Sequence, residues 1–83
     1  MDPDELRTAI REKLASGALP REKCLVTWFG PGGGHHCVAC ERPISRQDIE
    51  CECEQGHGLL RFHQSCFAVW DVERQDAEGA LTP

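Results

Sequence analysis

Leu6, Ile10 and Leu14 recur every four residues with Ala9 and Lys13 beside them, a period that predicts an amphipathic helix carrying one narrow apolar stripe. Asp2 can cap its start, Pro3 suits its first position, and Asp4 and Glu5 place carboxylates at the positive end of the helix dipole. Gly17 sits where a left-handed closing residue belongs and Pro20 forbids continuation, so the helix is expected over residues 3–16. Its stripe is expected to pack on the rest of the domain rather than serve as a detachable partner-binding helix. Residues 24–29 (CLVTWF) are an apolar run of strand formers that ends at the breaker GPGGG. A short strand is expected there, with Trp28 and Phe29 as core cover and a flexible glycine-rich connection after it.

Further along, IECEC alternates with period two, placing Ile49, Cys51 and Cys53 on one face and Glu50, Glu52 and Glu54 on the other. QGHG reads as a turn and LLRFH as the returning strand of a hairpin. From His63 the period becomes helical: Cys66, Val69 and Glu73 share one side, and Phe67, Trp70 and Arg74 the neighbouring one. Phe67 and Trp70 are expected in the core. The pattern divides the chain into an N-terminal amphipathic helix (1–19), a strand and glycine-rich connection (20–36), a metal-binding module (37–75) and a disordered tail (76–83). The fold class expected is a small α+β domain stapled by metal.

The staple is read from Cys37 and Cys40, two residues apart, and from His63 and Cys66, again two residues apart. Ligands at that spacing both turn inward from a tight loop or a first helical turn, so each pair supplies half a tetrahedron. Thiolates and an imidazole select zinc over hard cations, and four protein ligands leave no open position for a substrate water. One structural Zn2+ held by Cys37, Cys40, His63 and Cys66 is therefore expected. The spacing resembles the first half of a LIM domain and, more generally, a treble-clef zinc finger, with CVAC as the knuckle and FHQSCF opening the ligand-bearing helix. It also looks like small bacterial zinc-binding proteins that share a GALP segment, a glycine-rich stretch, CxxC and an FHxxC helix. The resemblance covers about thirty residues and implies fold and zinc, but no activity. A complete LIM domain would continue with a second metal module, whereas FAVWDVER follows here.

Eighty-three residues suit one domain, too short a chain to be comfortably stable without a staple. MDPDELRTAI has neither a basic region nor an apolar run of the kind a signal peptide needs, so a cytoplasmic, reducing location is expected, with the six cysteines on metal or as free thiols. Nine basic residues against fourteen acidic ones give a net charge of −5, to which zinc bound by three thiolates would add one more negative charge. That balance disfavours generic binding to phosphate backbones.

A second metal site is conceivable at Cys51, Cys53 and His57, with Cys24, His35 or His36 as a distant fourth ligand; plain half-buried thiols or a redox role are the alternatives. A RING arrangement fails because no cysteine or histidine follows Cys66, and a treble-clef nuclease because the chain has no asparagine. The functional expectation is a non-enzymatic module that binds another protein through an acidic edge of Asp48, Glu50, Glu52 and Glu54 facing a basic partner surface. Alternatives are a nucleic-acid-binding finger, for which Arg42, Arg46, Arg61 and Arg74 would have to converge, and a cysteine-based redox sensor.

Overall fold

A helix, α1, spans Pro3–Ser16, as the capping signals require: Asp2 accepts a hydrogen bond from the Asp4 amide, and Gly17 closes the last turn at φ 84°. The structure is a computed structural model and describes residues 2–56 and 58–79. After α1 come three strands, β1 (Val26–Pro31), β2 (Ile49–Glu54) and β3 (Leu59–His63), and a second helix, α2 (Gln64–Gly79). The strands form one antiparallel sheet in the order β1-β2-β3. This is an α+β domain, and among its described residues no helix is long and apolar enough to cross a membrane.

Strand register sorts side chains between two faces. Phe29, Cys51 and Phe62 lie opposite one another on the face that the helices cover, and Trp28, Glu52 and Arg61 share a row on the other face. The covered face is the core: Cys51, Cys53 and Phe62 are fully buried, as are Ile10 and Trp70 from the helices. Trp70 stacks on Phe62 with ring centroids 5.1 Å apart, and its indole N–H donates to the Pro20 carbonyl oxygen at 3.0 Å. That bond satisfies the one polar atom of an otherwise apolar group. Phe67 sets its edge against Phe62 and Phe29.

The helices are clasped by charge as well. Glu73 on α2 is nearly buried and accepts from Arg11 Nε at 2.9 Å, with Arg7 Nε 3.4 Å away. The stripe of Leu6, Ile10 and Leu14 is buried, so α1 belongs to the domain's core.

Four expectations need correction. The first strand begins at Val26, two residues later than expected, and runs on through Gly30 and Pro31; an edge strand tolerates proline because its outward N–H has no partner to lose. Trp28 and Phe29 are half exposed, 50% and 56%, since one points to the open face and the other lies at the sheet margin. The glycine stretch is held in place: Gly32 N–H donates to the Asp48 carbonyl, Gly34 N–H to that of Ile44, and a Cβ on Gly32 would stand 2.0 Å from the Ser45 carbonyl oxygen. Finally, α2 takes in residues 76–79 of the tail expected to be disordered; residues 80–83 lie outside the described residues.

If α1 is integral to the core, truncating its central side chain is costly. Ile10→Ala should destabilise the protein by about 2–5 kcal/mol in denaturant unfolding with metal present. A change below about 0.5 kcal/mol would mean that the helix is detachable.

Candidate metal centre

Cys37 opens a tight turn in which the Glu41 amide donates to the Cys37 carbonyl and the Cys37 amide to that of Arg42, both at 2.9 Å. Glu41 takes φ 66°, the left-handed conformation needed to bring the chain back. The turn is anchored from both sides: the Val38 amide donates to the Arg61 carbonyl on β3, and Lys13 Nζ on α1 donates to the Val38 carbonyl at 3.0 Å. These contacts carry Cys37 and Cys40 to the corner where β3 ends at His63 and α2 begins. Cys66 lies three residues beyond His63, in the first turn of α2.

The four ligand atoms of Cys37, Cys40, His63 and Cys66 all lie within 4.8 Å of one another. His63 Nδ1 is 3.3 Å from the Cys40 sulfur and 3.9 Å from that of Cys66. The other ring nitrogen, Nε2, is 3.1 Å from the Pro43 carbonyl oxygen, to which it can donate, leaving Nδ1 free to act as ligand. Asp48 Oδ2 is 3.6 Å from the same Nε2, and it also accepts from the amide and hydroxyl of Ser45. Those Ser45 bonds hold the Asp48 carboxyl below its ordinary range. A carbonyl and a fixed carboxylate thus orient the imidazole.

One sulfur, that of Cys37, is prepared for metal in the same way. The hydrogen bond with the Cys66 thiol pulls Cys37 well below an ordinary thiol, and backbone N–H groups of Cys40, His63 and Ala39 reinforce this; that of His63 lies 3.4 Å from the sulfur. Amides pointing at a sulfur stabilise its thiolate, the form that binds metal. Cys37 and Cys66 are buried, while Cys40 and His63 are partly exposed. This donor set can hold one metal ion as a closed site.

Among the described residues the second cluster is not assembled. Cys53 is joined to Cys24 in a disulfide, so its sulfur is not available to a metal, and Cys51 is fully buried against the helices. His57 lies outside the described residues. His35 Nδ1 stands 3.5 Å from Glu50 Oε1, and His36 forms a bridge with Pro43. The disulfide also corrects the expectation that every cysteine is on metal or free. Its physical origin is the register of β1 on β2, which sets Thr27 opposite Cys53 and brings the Cys24 and Cys53 Cα atoms to 5.3 Å, within bridging range. A sequence separation of 29 residues gives no hint of it.

The acidic edge is likewise reduced. Glu50 is buried at 5% exposure beside His35, with Oε1 making no hydrogen bond, and Asp48 is committed to Ser45 and His63; only Glu52 and Glu54 remain free of ion pairs among the described residues. Of the four arginines, Arg74 is buried over the Trp70 ring and pairs with Asp71 on its own helix, so it does not join a basic face.

Burial pushes the Cys51 thiol up to about 11, so the neutral form is favoured in the folded protein. A raised folded value contributes stability that is complete below the unfolded thiol's range and lost as pH rises towards about 11. Iodoacetamide at mildly alkaline pH should therefore label Cys51 only after unfolding, and Cys24 and Cys53 only after unfolding and reduction. Peptide mapping that finds Cys24 or Cys53 labelled without reductant would contradict the disulfide.

No protein-family model matches the chain, and comparison with curated proteins and with solved structures likewise gives no match.

Proposed function

We propose that the protein is a structural-zinc module of treble-clef type whose role is to bind another protein, with no chemistry of its own. The observation that carries this reading is the closed set of Cys37, Cys40, His63 and Cys66, already gathered within 4.8 Å. In a tetrahedral zinc site with sulfur and nitrogen ligands, neighbouring donor atoms lie about 3.5–3.8 Å apart, and the 3.3 and 3.9 Å separations at His63 fall around that range. Three thiols and one imidazole are the donor chemistry that zinc prefers, and ligands carried on a turn, a strand end and a helix start support the treble-clef part of the reading. A metal so enclosed acts by holding the fold, and its binding free energy is largely folding free energy.

The interaction role is supported by apolar surface the domain leaves uncovered: Leu25, Val26, Trp28, Phe29, Ile49 and Leu59 are exposed along the sheet. Small domains that show such surface use it to bind. The net charge of −5 favours a partner with basic surface and disfavours duplex nucleic acid.

Protein purified without added metal should contain one zinc per chain by elemental analysis, lost when Cys37→Ser is combined with Cys66→Ser. Two equivalents, or metal kept by that double variant, would overturn the site. Incubated with native lysate, the zinc-loaded protein should retain a partner in fixed stoichiometry that the double variant does not. Equal recovery by both, or by neither, would overturn the interaction role.

A further inference from the structure

The outer face of the sheet combines three features that nothing in the fold explains. Val26 and Trp28 on β1 and Leu59 on β3 are 42%, 50% and 38% exposed, whereas β2 and β3 bury Cys51, Cys53 and Phe62 on the face under the helices. The register places Trp28 beside Glu52 and Val26 beside Glu54, with Leu59 on the far side of Glu54, so apolar and acidic groups alternate within one patch. Trp28, Glu52, Glu54, Gly56 and Leu59 together line a shallow concavity of about 670 Å³.

Neither carboxylate is neutralised from within. Glu52 and Glu54 make no ion pair among the described residues. Arg61 is the cation in register with Glu52, yet it reaches no carboxylate at ion-pair distance, and its Nε is buried without a hydrogen bond. No described cation pairs with the two acids, and an aromatic ring stands next to them.

A ring face and two carboxylates attract the same ligand. The quadrupole of an indole draws a cation, carboxylates draw it more strongly, and the alkyl stem of lysine or arginine can cover Trp28 and Leu59 while its head stays near the acids. A neutral or acidic segment gains only the apolar part and meets charge repulsion. We infer that this groove docks a lysine- or arginine-bearing extended segment of a partner protein, with the stem on Trp28 and Leu59 and the cation between Glu52 and Glu54. The inference rests on the interaction role proposed above and names both its face and the chemistry of its partner. It replaces the four-residue acidic edge read from the sequence with two acids and a tryptophan.

The test uses the zinc-loaded protein and an N-acetylated, C-amidated peptide of alternating lysine and alanine, followed by amide chemical shifts and tryptophan emission. Trp70 is buried, so an emission change on titration reports Trp28. Saturable binding is expected, with shifts confined to β1, the β2–β3 turn and their outward neighbours. Combining Glu52→Gln with Glu54→Gln should weaken it by about fivefold to thirtyfold, as loss of two partly exposed charge contacts implies, and Trp28→Ala should remove the emission response and most of the affinity. Zinc content and amide dispersion should be unchanged in these variants, which separates loss of docking from loss of fold.

Absence of binding, equal binding of an alternating glutamate and alanine peptide, or an affinity unaltered by the variants overturns the inference. So does preferential binding of single-stranded DNA, or self-association of the free protein that Trp28→Ala abolishes, since each assigns the face to a different occupant. If the peptide fails while the lysate partner is still retained, the groove assignment alone falls; if no partner is retained, the interaction role falls with it.

Discussion

Two short segments that are far apart in sequence must meet at one point, and the rest of the structure serves that meeting. Cys37 and Cys40 sit on a turn that buries Cys37 and Ala39 in the core, and His63 and Cys66 sit where a strand ends and a helix starts. Three cysteine sulfurs brought this close without a cation would repel one another as thiolates, so the arrangement makes sense as a preformed cage. Everything around it limits how the cage can distort. Pro43 and Asp48 fix the imidazole, backbone amides face the Cys37 sulfur, and Lys13 reaches over from α1 to hold the turn at Val38.

Behind that corner the core continues from Cys37, Ala39 and Cys66, which are themselves buried in it. Phe62 and Trp70 stack beneath the sheet, α1 closes over them with Ile10, and Glu73 draws Arg7 and Arg11 across the helix pair. The disulfide between Cys24 and Cys53 ties the entry of β1 to β2 and, by closing a loop of this length, restricts the unfolded chain by about 3.6 kcal/mol in the simple entropic account. An 83-residue domain thus has one disulfide and one cluster able to hold a metal, at opposite ends of the sheet, with a modest apolar core between them. The outer sheet face carries none of this load, which leaves Trp28, Glu52 and Glu54 free for another molecule.

Local signals were readable in the sequence, and long-range ones were not. Asp2, Pro3, Gly17 and the Leu6, Ile10, Leu14 period mark the bounds of α1 because caps and periodicity act over a few residues. The hairpin of β2 and β3 was legible for the same reason. The four ligand residues also stood out, because paired spacing is itself local. What could not be seen was pairing across distance. The alternation of β2 correctly opposed cysteines to glutamates, but it could not tell that the glycine stretch would fold over one end and bury Glu50, or that β1 would lie alongside and take Cys53 into a disulfide. Trp28 and Phe29 were misjudged on similar grounds: an apolar run does not say how many layers will cover it, and here the helices cover one face only.

The central claim is that the metal holds the knuckle onto the strand–helix corner, and amide hydrogen exchange of metal-loaded and chelated protein tests it most directly. The amides of Cys37 and Glu41 donate to carbonyls within the native turn, that of Ile44 to His35 and that of Val38 to Arg61 on β3, so together they report the knuckle and its attachment to the sheet. With metal bound they should be protected. After a chelator has removed the metal, as elemental analysis would verify, they should exchange at rates near those of an unstructured chain, while the slowest amides of β2 retain measurable protection. Unchanged protection at Cys37, Val38, Glu41 and Ile44 in the metal-free protein would show that packing alone holds the knuckle in place, and would contradict the account.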